Sequence, residues 1–329
     1  MVNKDSIYSA YETIKPFIRK TPLEFSRTLS ELTNSEIFLK LECLQHTGSF
    51  KARGAFNSFA DLDLERYNGI IAPTAGNHGI GLSFAASKFK IPVHIYLAED
   101  ADPIKIKILE SQNAIVKRFP DFETAHFEAG VAAKKRKLKF ISAYNNDEMV
   151  NGGGTVAIEI LQDLKDVDII VVPVGGGGLI AGISKFIKSI NPDCMIWGVQ
   201  TKNSPTFVRW FDMKKTFQVD LKPSIAHGLS GFVEEDTITF PIIKNNVNRM
   251  IELDENHLID GMRFMAENHQ LIVEPSGIAA VSALMQEGMD LSGKKVVSVV
   301  TGRNISFDEF NKLIQGIINE PHNIKSEKK

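Results

Sequence analysis

Four consecutive glycines form the stretch of this sequence best suited to bind an anion: Gly175, Gly176, Gly177 and Gly178. They follow an apolar run at 169–174 that predicts a buried strand, and they precede apolar residues at helical spacing over 179–190. A turn without Cβ atoms lets the backbone approach a ligand closely, and the N–H groups that begin a helix favour negative charge. This tetraglycine turn therefore predicts a phosphate site between a strand and a helix.

Two other interpretations of the tetraglycine turn remain open. It could be a flexible loop without a ligand, or it could bind a dinucleotide, because Gly176, Gly178 and Ala181 satisfy the pattern G-x-G-x-x-A. The dinucleotide fold needs an acidic residue about 20 residues further on, at the end of the next strand. This chain has Gln200 there, so a simpler phosphate ester is favoured.

Lys51 is the candidate nucleophile. Ser49 is a suitable N-cap for a helix whose apolar stripe includes Ala52 and Phe56, so Lys51 and Arg53 fall in its first turn. The helix dipole and the neighbouring cation both disfavour a proton on Lys51, and a neutral amine can attack an aldehyde carbon. An ordinary surface lysine is the alternative.

A second turn of small residues, 73–79, also precedes a predicted helix. It offers a hydroxyl and free N–H groups, which suit a carboxylate or a phosphate. His78 lies in this turn, although a single histidine is more often structural than functional.

Short strands and helices alternate along most of the chain, which is typical of parallel sheets covered by helices. Predicted strands at 70–72, 93–97, 114–119 and 140–141 form one group, and those at 36–41, 169–174, 195–199, 249–253 and 295–300 form another. We expect an α/β fold with two lobes, each a mostly parallel sheet flanked by helices. Residues 1–60 and 147–329 would form the larger domain, and residues 61–146 the smaller one.

Composition indicates a globular enzyme-like protein. The 329 residues are 43% hydrophobic and carry a net charge of −2, which gives no electrostatic reason to expect nucleic acid or an acidic membrane as a partner. The basic run at 134–139 is better explained as the C-terminus of a helix. Two cysteines are too few for a disulfide framework, and no signal peptide or membrane-spanning run is evident, so we expect a cytoplasmic protein. The eight histidines show no metal-binding spacing.

Taken together, five motifs resemble the threonine/serine dehydratases (ammonia-lyases) among the fold type II enzymes that use pyridoxal 5'-phosphate (PLP). They are SFKARG at 49–54, TAGNH at 74–78, GGGGL at 175–179, EPSG at 274–277 and TGRN at 301–304. The resemblance covers nearly the whole chain in order, and five motifs in register are much more specific than any one of them. It implies a fold like that of tryptophan synthase β, with a large PLP-binding domain and a small mobile domain that binds the substrate carboxylate.

The resemblance also implies the roles of site residues. Lys51 would be the catalytic residue and would hold PLP as an internal aldimine. Asn77 would meet the ring hydroxyl, Phe50 would lie beside the ring, and Thr301 would face the ring nitrogen. The PLP phosphate would be bound by backbone N–H groups of Gly175, Gly176, Gly177, Gly178 and Leu179. The substrate carboxylate would be bound by Thr74, Ala75, Gly76, Asn77 and His78.

The implied reaction is a β-elimination. The freed Lys51 would take the α-proton of the substrate, and the β-hydroxyl would leave, protonated from the PLP phosphate. Hydrolysis of the product would give a 2-oxo acid and ammonia, so L-threonine would yield 2-oxobutyrate and L-serine pyruvate. A hydroxyl such as that of Thr301 cannot hold a full positive charge on the ring nitrogen, and the weaker electron sink favours prompt loss of the leaving group.

Departures from the family's patterns refine this hypothesis. Serine racemases of the family have a serine before Gly-Asn-His, where this chain has Ala75, and the acidic residues of the family's divalent-ion site are replaced by Gln200 and Thr206. Racemisation would therefore lack its opposite-face proton donor, and we do not expect that metal site. His227 and Arg303 also depart from the family at positions near the pocket.

Alternative functions therefore stay open. The chain could be a serine racemase, or a β-elimination or β-replacement enzyme for another β-substituted amino acid such as 3-hydroxyaspartate. A non-catalytic ligand-sensing protein of the same fold is a further alternative. The resemblance implies a homodimer or a higher homo-oligomer, and the chain has no room for the family's C-terminal regulatory domain, so feedback control by isoleucine is not expected.

Overall fold

The computed structural model describes residues 1–60, 62–74, 76–99, 101, 103–286 and 288–316. Its strands are β1 (Leu23–Phe25), β2 (Glu36–Lys40), β3 (Ile70–Pro73), β4 (Val93–Ala98), β5 (Ile115–Phe119), β6 (Lys139–Phe140), β7 (Ile169–Pro173), β8 (Met195–Thr201), β9 (Arg249–Leu253) and β10 (Lys295–Val299). Its α-helices are α1 (Lys4–Ile14), α2 (Arg27–Thr33), α3 (Lys51–Ala60), α4 (Asn77–Phe89), α5 (Pro103–Ser111), α6 (Phe122–Arg136), α7 (Asp147–Asp163), α8 (Gly178–Ile190), α9 (Thr206–Met213), α10 (Thr239–Asn246), α11 (Glu255–His269), α12 (Pro275–Leu284) and α13 (Phe307–Ile314).

The strands form two sheets. The six-stranded sheet has the order β1-β2-β10-β7-β8-β9, and the four-stranded sheet has the order β5-β4-β3-β6. Every neighbouring pair is parallel except β1 and β2, which are antiparallel. The predicted α/β fold with two mostly parallel sheets is therefore confirmed, while the division into domains 1–60 plus 147–329 and 61–146 stays a prediction.

The sheets explain why motifs far apart in sequence can meet. Parallel strands present their carboxyl ends at one edge of a sheet. In the larger sheet the tetraglycine turn follows β7, and Thr301 lies just after β10, which pairs with β7 from Val296 opposite Ile169 onward. Strand β7 is buried along its whole length, so the tetraglycine turn that follows it is attached to the core of the protein.

Helix α7 lies between α3 and α8, and glycines allow its close packing. A Cβ atom at Gly152 would lie 2.5 Å from Cα of Gly54 in α3, and one at Gly182 in α8 would lie 2.6 Å from the nitrogen of Gly154. Real side chains do not approach this closely, so the two helices that begin at Lys51 and at Gly178 are held by glycine contacts on either side of α7. Although consecutive glycines at 152–154 disfavour a helix, α7 runs through them from Asp147 to Asp163.

The first helix, α1, ends at Ile14. The basic run at 134–139 does fall at the C-terminus of α6, as predicted. Among the helices in the described parts of the chain, none is both long enough and apolar enough to cross a membrane.

Candidate active site

Lys51 is the first residue of α3, and its amine is held by contacts with residues of two other segments. Its Nζ donates a hydrogen bond to the carbonyl oxygen of Ala143 at 2.7 Å and lies 5.0 Å from the centre of the Phe50 ring. Burial lowers the pKa of the Lys51 amine to about 8. The predicted direction of this shift is confirmed, and a substantial fraction of the amine is neutral near physiological pH.

The predicted cause of the shift is wrong, because Arg53 does not act on Lys51. The Arg53 guanidinium is completely buried and forms paired hydrogen bonds of 2.8 Å with Glu42 and with Glu159. Its charge is therefore compensated by two carboxylates. Lys40, also fully buried, donates to the same Glu159 at 2.6 Å.

Ser49 does not cap α3, contrary to the sequence analysis. The residue before the helix is Phe50, and the buried Oγ of Ser49 has no hydrogen-bond partner among the described residues. Ser49 instead forms an isolated antiparallel bridge with Gly302, and the N–H of Phe50 donates to the carbonyl oxygen of Thr301 at 3.1 Å. These contacts place Thr301 beside the segment that carries Lys51.

The tetraglycine turn has the geometry of an anion-binding loop. Gly177 adopts a φ of +82°, a conformation that favours glycine, and α8 starts at the next residue. None of the hydrogen bonds found among the described residues is donated by the N–H groups of Gly175, Gly176 or Gly177. These donors lie at the positive end of the helix dipole and suit the oxygens of a phosphate.

Tyr144 was missed by the sequence analysis. A Cβ atom at Gly176 would collide with its ring, and a Cβ at Gly178 would lie 3.1 Å from its Cα. Its hydroxyl donates to Glu234, and the next residue, Asn145, accepts from the N–H of Ile238 at 3.0 Å. The only sequence signal was its position between β6 and the N-cap of α7.

The 143–144 segment joins the two halves of the predicted site. Ala143 accepts the hydrogen bond from the Lys51 amine, and its neighbour Tyr144 packs on the tetraglycine turn. The lysine and the turn, which are more than a hundred residues apart in sequence, therefore contact adjacent residues.

The second small-residue turn lies at the carboxyl end of β3 and starts α4. The N–H of Gly76 donates to Oγ1 of Thr74 at 3.2 Å, and Asn77 is the first residue of the helix. Ala75, which was predicted to bind the substrate carboxylate, lies outside the described residues. The turn thus joins a hydroxyl and helix N–H groups, as the sequence suggested.

His78 is buried in this turn as a neutral side chain. Its Nε2 lies 3.1 Å from the carbonyl oxygen of Ile141, so Nε2 carries the proton and donates. Burial, and to a smaller extent the charge of Lys51, lowers the pKa of His78 to about 3. Its Nδ1 is buried without a partner among the described residues and can accept a hydrogen bond.

Asn77 forms hydrogen bonds with two side chains from the motifs at 274–277 and 301–304. Its Nδ2 lies 2.6 Å from Oε1 of Glu274, and its Oδ1 lies 2.6 Å from Nδ2 of Asn304. Glu274 precedes α12, and burial raises the pKa of its carboxyl to about 7, although the hydrogen bond from Asn77 opposes this effect. Glu274 and Asn304 both lie in the five motifs, but no role was predicted for either from the sequence.

The residues that depart from the family's pattern lie at the margin of this arrangement. The side chains of His227 and Arg303 are exposed. Gln200 is buried, and its Oε1 accepts from the N–H of Val208 at 3.1 Å, so it supports the first turn of α9, the helix that Thr206 begins.

These residues together suit one class of ligand. A primary amine, an aromatic ring and a set of free N–H donors suit an aromatic aldehyde that carries a phosphate ester. The Thr74 hydroxyl and the N–H groups that begin α4 offer separate donors for the carboxylate of a second molecule.

Comparison with known families gives the same ligand class. The family model described as "Pyridoxal-phosphate dependent enzyme" matches residues 14–302. This match spans both sheets and all five motifs except the last two residues of the fifth.

Individual proteins similar to this chain include two ammonia-lyases. The L-threonine ammonia-lyase of Thermotoga maritima is 37% identical over 316 residues, which are 95% of this chain and 78% of that protein. The L-threo-3-hydroxyaspartate ammonia-lyase of a Pseudomonas species is 31% identical over 94% of this chain and 98% of that protein. Among solved structures, maize serine racemase superposes with a TM-score of 0.89 at 26% identity, covering 96% of this chain and 97% of that one.

Proposed function

Because this chain belongs to the family of pyridoxal-phosphate dependent enzymes, we propose that it is an ammonia-lyase that converts L-threonine into 2-oxobutyrate and ammonia, and L-serine into pyruvate and ammonia. The relatives that cover nearly all of the chain include an L-threonine ammonia-lyase, and the two mostly parallel sheets are those of fold type II. The predicted family, fold and cofactor are thereby confirmed, and the site residues and the preferred substrate remain proposals.

The residues present fit PLP. The unpaired N–H groups of the tetraglycine turn, continued by the N–H of Leu179, would bind the phosphate, and the Lys51 amine would bind the aldehyde carbon. Phe50 would lie beside the ring and Thr301 would face its nitrogen; these two residues are already joined through the Phe50 N–H. Asn77 would donate to the ring oxygen.

The chemistry needs a base at the substrate's α-carbon. PLP, when bound, supplies an electron sink that stabilises negative charge at that carbon. Lys51 Nζ would take the α-proton, and burial favours this because it lowers the pKa of the amine to about 8. The Thr74 hydroxyl, with Ala75, Gly76 and the backbone N–H groups that begin α4 at Asn77 and His78, would hold the substrate carboxylate. The neutral imidazole of His78 would add no second proton carrier, because its one N–H donates to Ile141.

One observation carries this proposal: the Lys51 amine and the tetraglycine turn meet at adjacent residues, Ala143 and Tyr144. A PLP molecule has its aldehyde and its phosphate on neighbouring arms of one ring, so both groups must be served within one small pocket. This arrangement supports a shared ligand.

The test is an assay of ammonia and 2-oxo acid release from L-threonine and L-serine, with the cofactor's absorbance followed in parallel. We expect turnover of both, and a loss of about 10²- to 10⁴-fold or more in Lys51→Ala. Lys165→Ala, which changes an exposed lysine, is the matched control. A purified protein that PLP cannot reconstitute, or a Lys51→Ala variant with full turnover, would refute the proposal.

Two alternatives have support from relatives and are separated by the same assay. The resemblance to maize serine racemase favours racemisation, but Ala75 has no hydroxyl to deliver a proton to the opposite face, so we expect no D-serine from L-serine. The Pseudomonas relative favours L-threo-3-hydroxyaspartate as a substrate. A higher kcat/KM for that acid than for threonine would change the proposed substrate and leave the reaction class intact.

We also propose the wider setting of the enzyme. Residues 61–146 would move as a small domain against residues 1–60 and 147–329 when substrate binds. The protein would work in the cytoplasm as a homodimer or higher homo-oligomer. Size-exclusion chromatography with light scattering tests the oligomeric state.

A further inference from the structure

Asn77 is connected to the larger sheet by a chain of hydrogen bonds that has only one consistent direction. The carbonyl oxygen of Thr47 can only accept, so the Asn304 atom 2.8 Å from it must be Nδ2. The same Nδ2 lies 2.6 Å from Asn77, so the Asn77 atom that meets it must be the acceptor Oδ1. Asn77 is left with Nδ2 facing Glu274 at 2.6 Å.

This series of hydrogen bonds determines which atom of the Asn77 amide remains available to a ligand. An amide nitrogen has two hydrogens, and Glu274 accepts only one of them. Asn304 already donates to the oxygen of the Asn77 amide, and the second hydrogen of Nδ2 remains available to donate to a ligand. A ring oxygen that meets only a donor is favoured in its anionic form.

The backbone at Gly302 limits where the Glu274 carboxyl can lie. A Cβ atom at Gly302 would collide with its Oε1, so the glycine leaves room for the carboxyl. The N–H of Glu274 also donates to the carbonyl oxygen of Gly302 at 3.2 Å. The backbone after β10 and at the start of α12 therefore determines the position of the Glu274 carboxyl beside Asn77.

We propose that Glu274 is a positioning residue: together with Asn304 it holds the Asn77 amide across the two sheets so that Nδ2 donates to the ring oxygen of PLP, and it weakens cofactor binding when it ionises. This inference rests on the proposed function, in which Asn77 contacts that oxygen. A negative charge on Glu274, one side chain away, opposes a negative charge on the ring oxygen.

The charges around Glu274 make this ionisation relevant near neutral pH. Burial raises the pKa of the Glu274 carboxyl to about 7, and Glu309 of α13 adds to the effect. The hydrogen bond from Asn77 and the charge of Lys105 in α5 act in the opposite direction. The carboxyl is thus neutral below about pH 7 and becomes charged above it.

The test compares PLP affinity of the cofactor-free protein with that of Glu274→Gln, which keeps an acceptor for Asn77 and cannot ionise. Lys51 and the phosphate titrate equally in both proteins, so the ratio of their dissociation constants isolates Glu274. We expect the two to bind alike near pH 6 and the wild type to bind about threefold or more weakly near pH 8.5. Glu267→Gln, an exposed glutamate on α11, is the control and should follow the wild type.

A second variant separates positioning from folding. Glu274→Ala removes the acceptor, so we expect weaker PLP binding at every pH and a changed absorbance of the bound cofactor, with rescue of the low-pH affinity in Glu274→Gln. A wild-type to Glu274→Gln ratio that stays constant with pH would overturn the inference even if Glu274→Ala does not fold. Failure of the wild type to bind PLP at all would instead refute the proposed function.

Discussion

At the scale of single residues, burial controls the chemistry of the site more than neighbouring charge does. Lys51, His78 and Glu274 all have pKa values shifted toward their neutral forms, and burial is the largest cause in each case. The site therefore combines an amine that loses its proton near pH 8, a neutral imidazole and a carboxyl that ionises near pH 7.

The Lys51 shift predicts how cofactor capture depends on pH. The amine must be neutral to attack the aldehyde, and it loses its proton around pH 8 because burial lowers its pKa to about 8. The rate of PLP capture by the cofactor-free protein should rise with pH and level off above that value. Stopped-flow absorbance measures this rate. A midpoint near the ordinary lysine pKa of about 10.4 would contradict the prediction, and Lys51→Arg should show no capture.

The sequence predicted the nature of these residues better than the reasons for their behaviour. Lys51 was recognised from its motif, but the shift was attributed to Arg53, whose direction toward Glu42 and Glu159 depends on contacts 11 and 106 residues away. Tyr144 was missed because its contact with Gly176 joins residues more than thirty positions apart and is not visible in local spacing. Side-chain direction and long-range packing are not visible in local spacing.

At the scale of secondary structure, small residues determine how α3, which begins at Lys51, and α8, which begins at Gly178, lie relative to each other. Strand positions followed from apolar runs, and β9 was predicted with its observed bounds. The short elements β1 and α2 lacked such a pattern, and α7 is not evident from the sequence because three glycines in a row are typical of a turn. Close contact with Gly54 and Gly182 is what keeps Gly152 and Gly154 in a helix.

Gly152→Ala tests this packing directly. The new methyl group would lie 2.5 Å from Cα of Gly54, a backbone atom that cannot move without α3. We expect a loss of about 1–3 kcal/mol in the free energy of unfolding and weaker PLP binding, because Lys51 begins α3. Chemical denaturation and absorbance titration measure the two effects.

Gly130→Ala in α6 is the matched control, since a Cβ there meets nothing within 4 Å. Without a steric conflict, the higher helix propensity of alanine should stabilise the protein by up to about 1 kcal/mol. Equal effects of the two substitutions would show that helix packing at Gly152 is not tight.

At the scale of the whole molecule, a buried charge network ties the elements of the site together. Lys40 at the end of β2, Glu42 in the following 3-10 helix, Arg53 in α3 and Glu159 in α7 are each no more than 1% exposed. Burial lowers the pKa of Lys40, while Arg53 holds the pKa of Glu42 below its ordinary value despite burial. Two positive and two negative groups balance, so the network has no net charge to repel its own members.

Arg53→Met should therefore destabilise the entire fold rather than the site alone. It leaves Glu42 and Glu159 buried with only Lys40 to compensate them, and breaking a buried pair in this way costs about 3–5 kcal/mol. The exposed pair Arg27 and Glu31 provides the comparison, since Arg27→Met should cost no more than about 1 kcal/mol. The deficit of Arg53→Met should shrink as the pH falls, because the Glu42 carboxyl, whose pKa Arg53 holds below its ordinary value in the wild type, can then be protonated. Urea unfolding at two pH values measures the loss of stability in Arg53→Met and its dependence on pH. A loss equal to that of Arg27→Met would mean that the network does not hold the motifs of the two sheets in place.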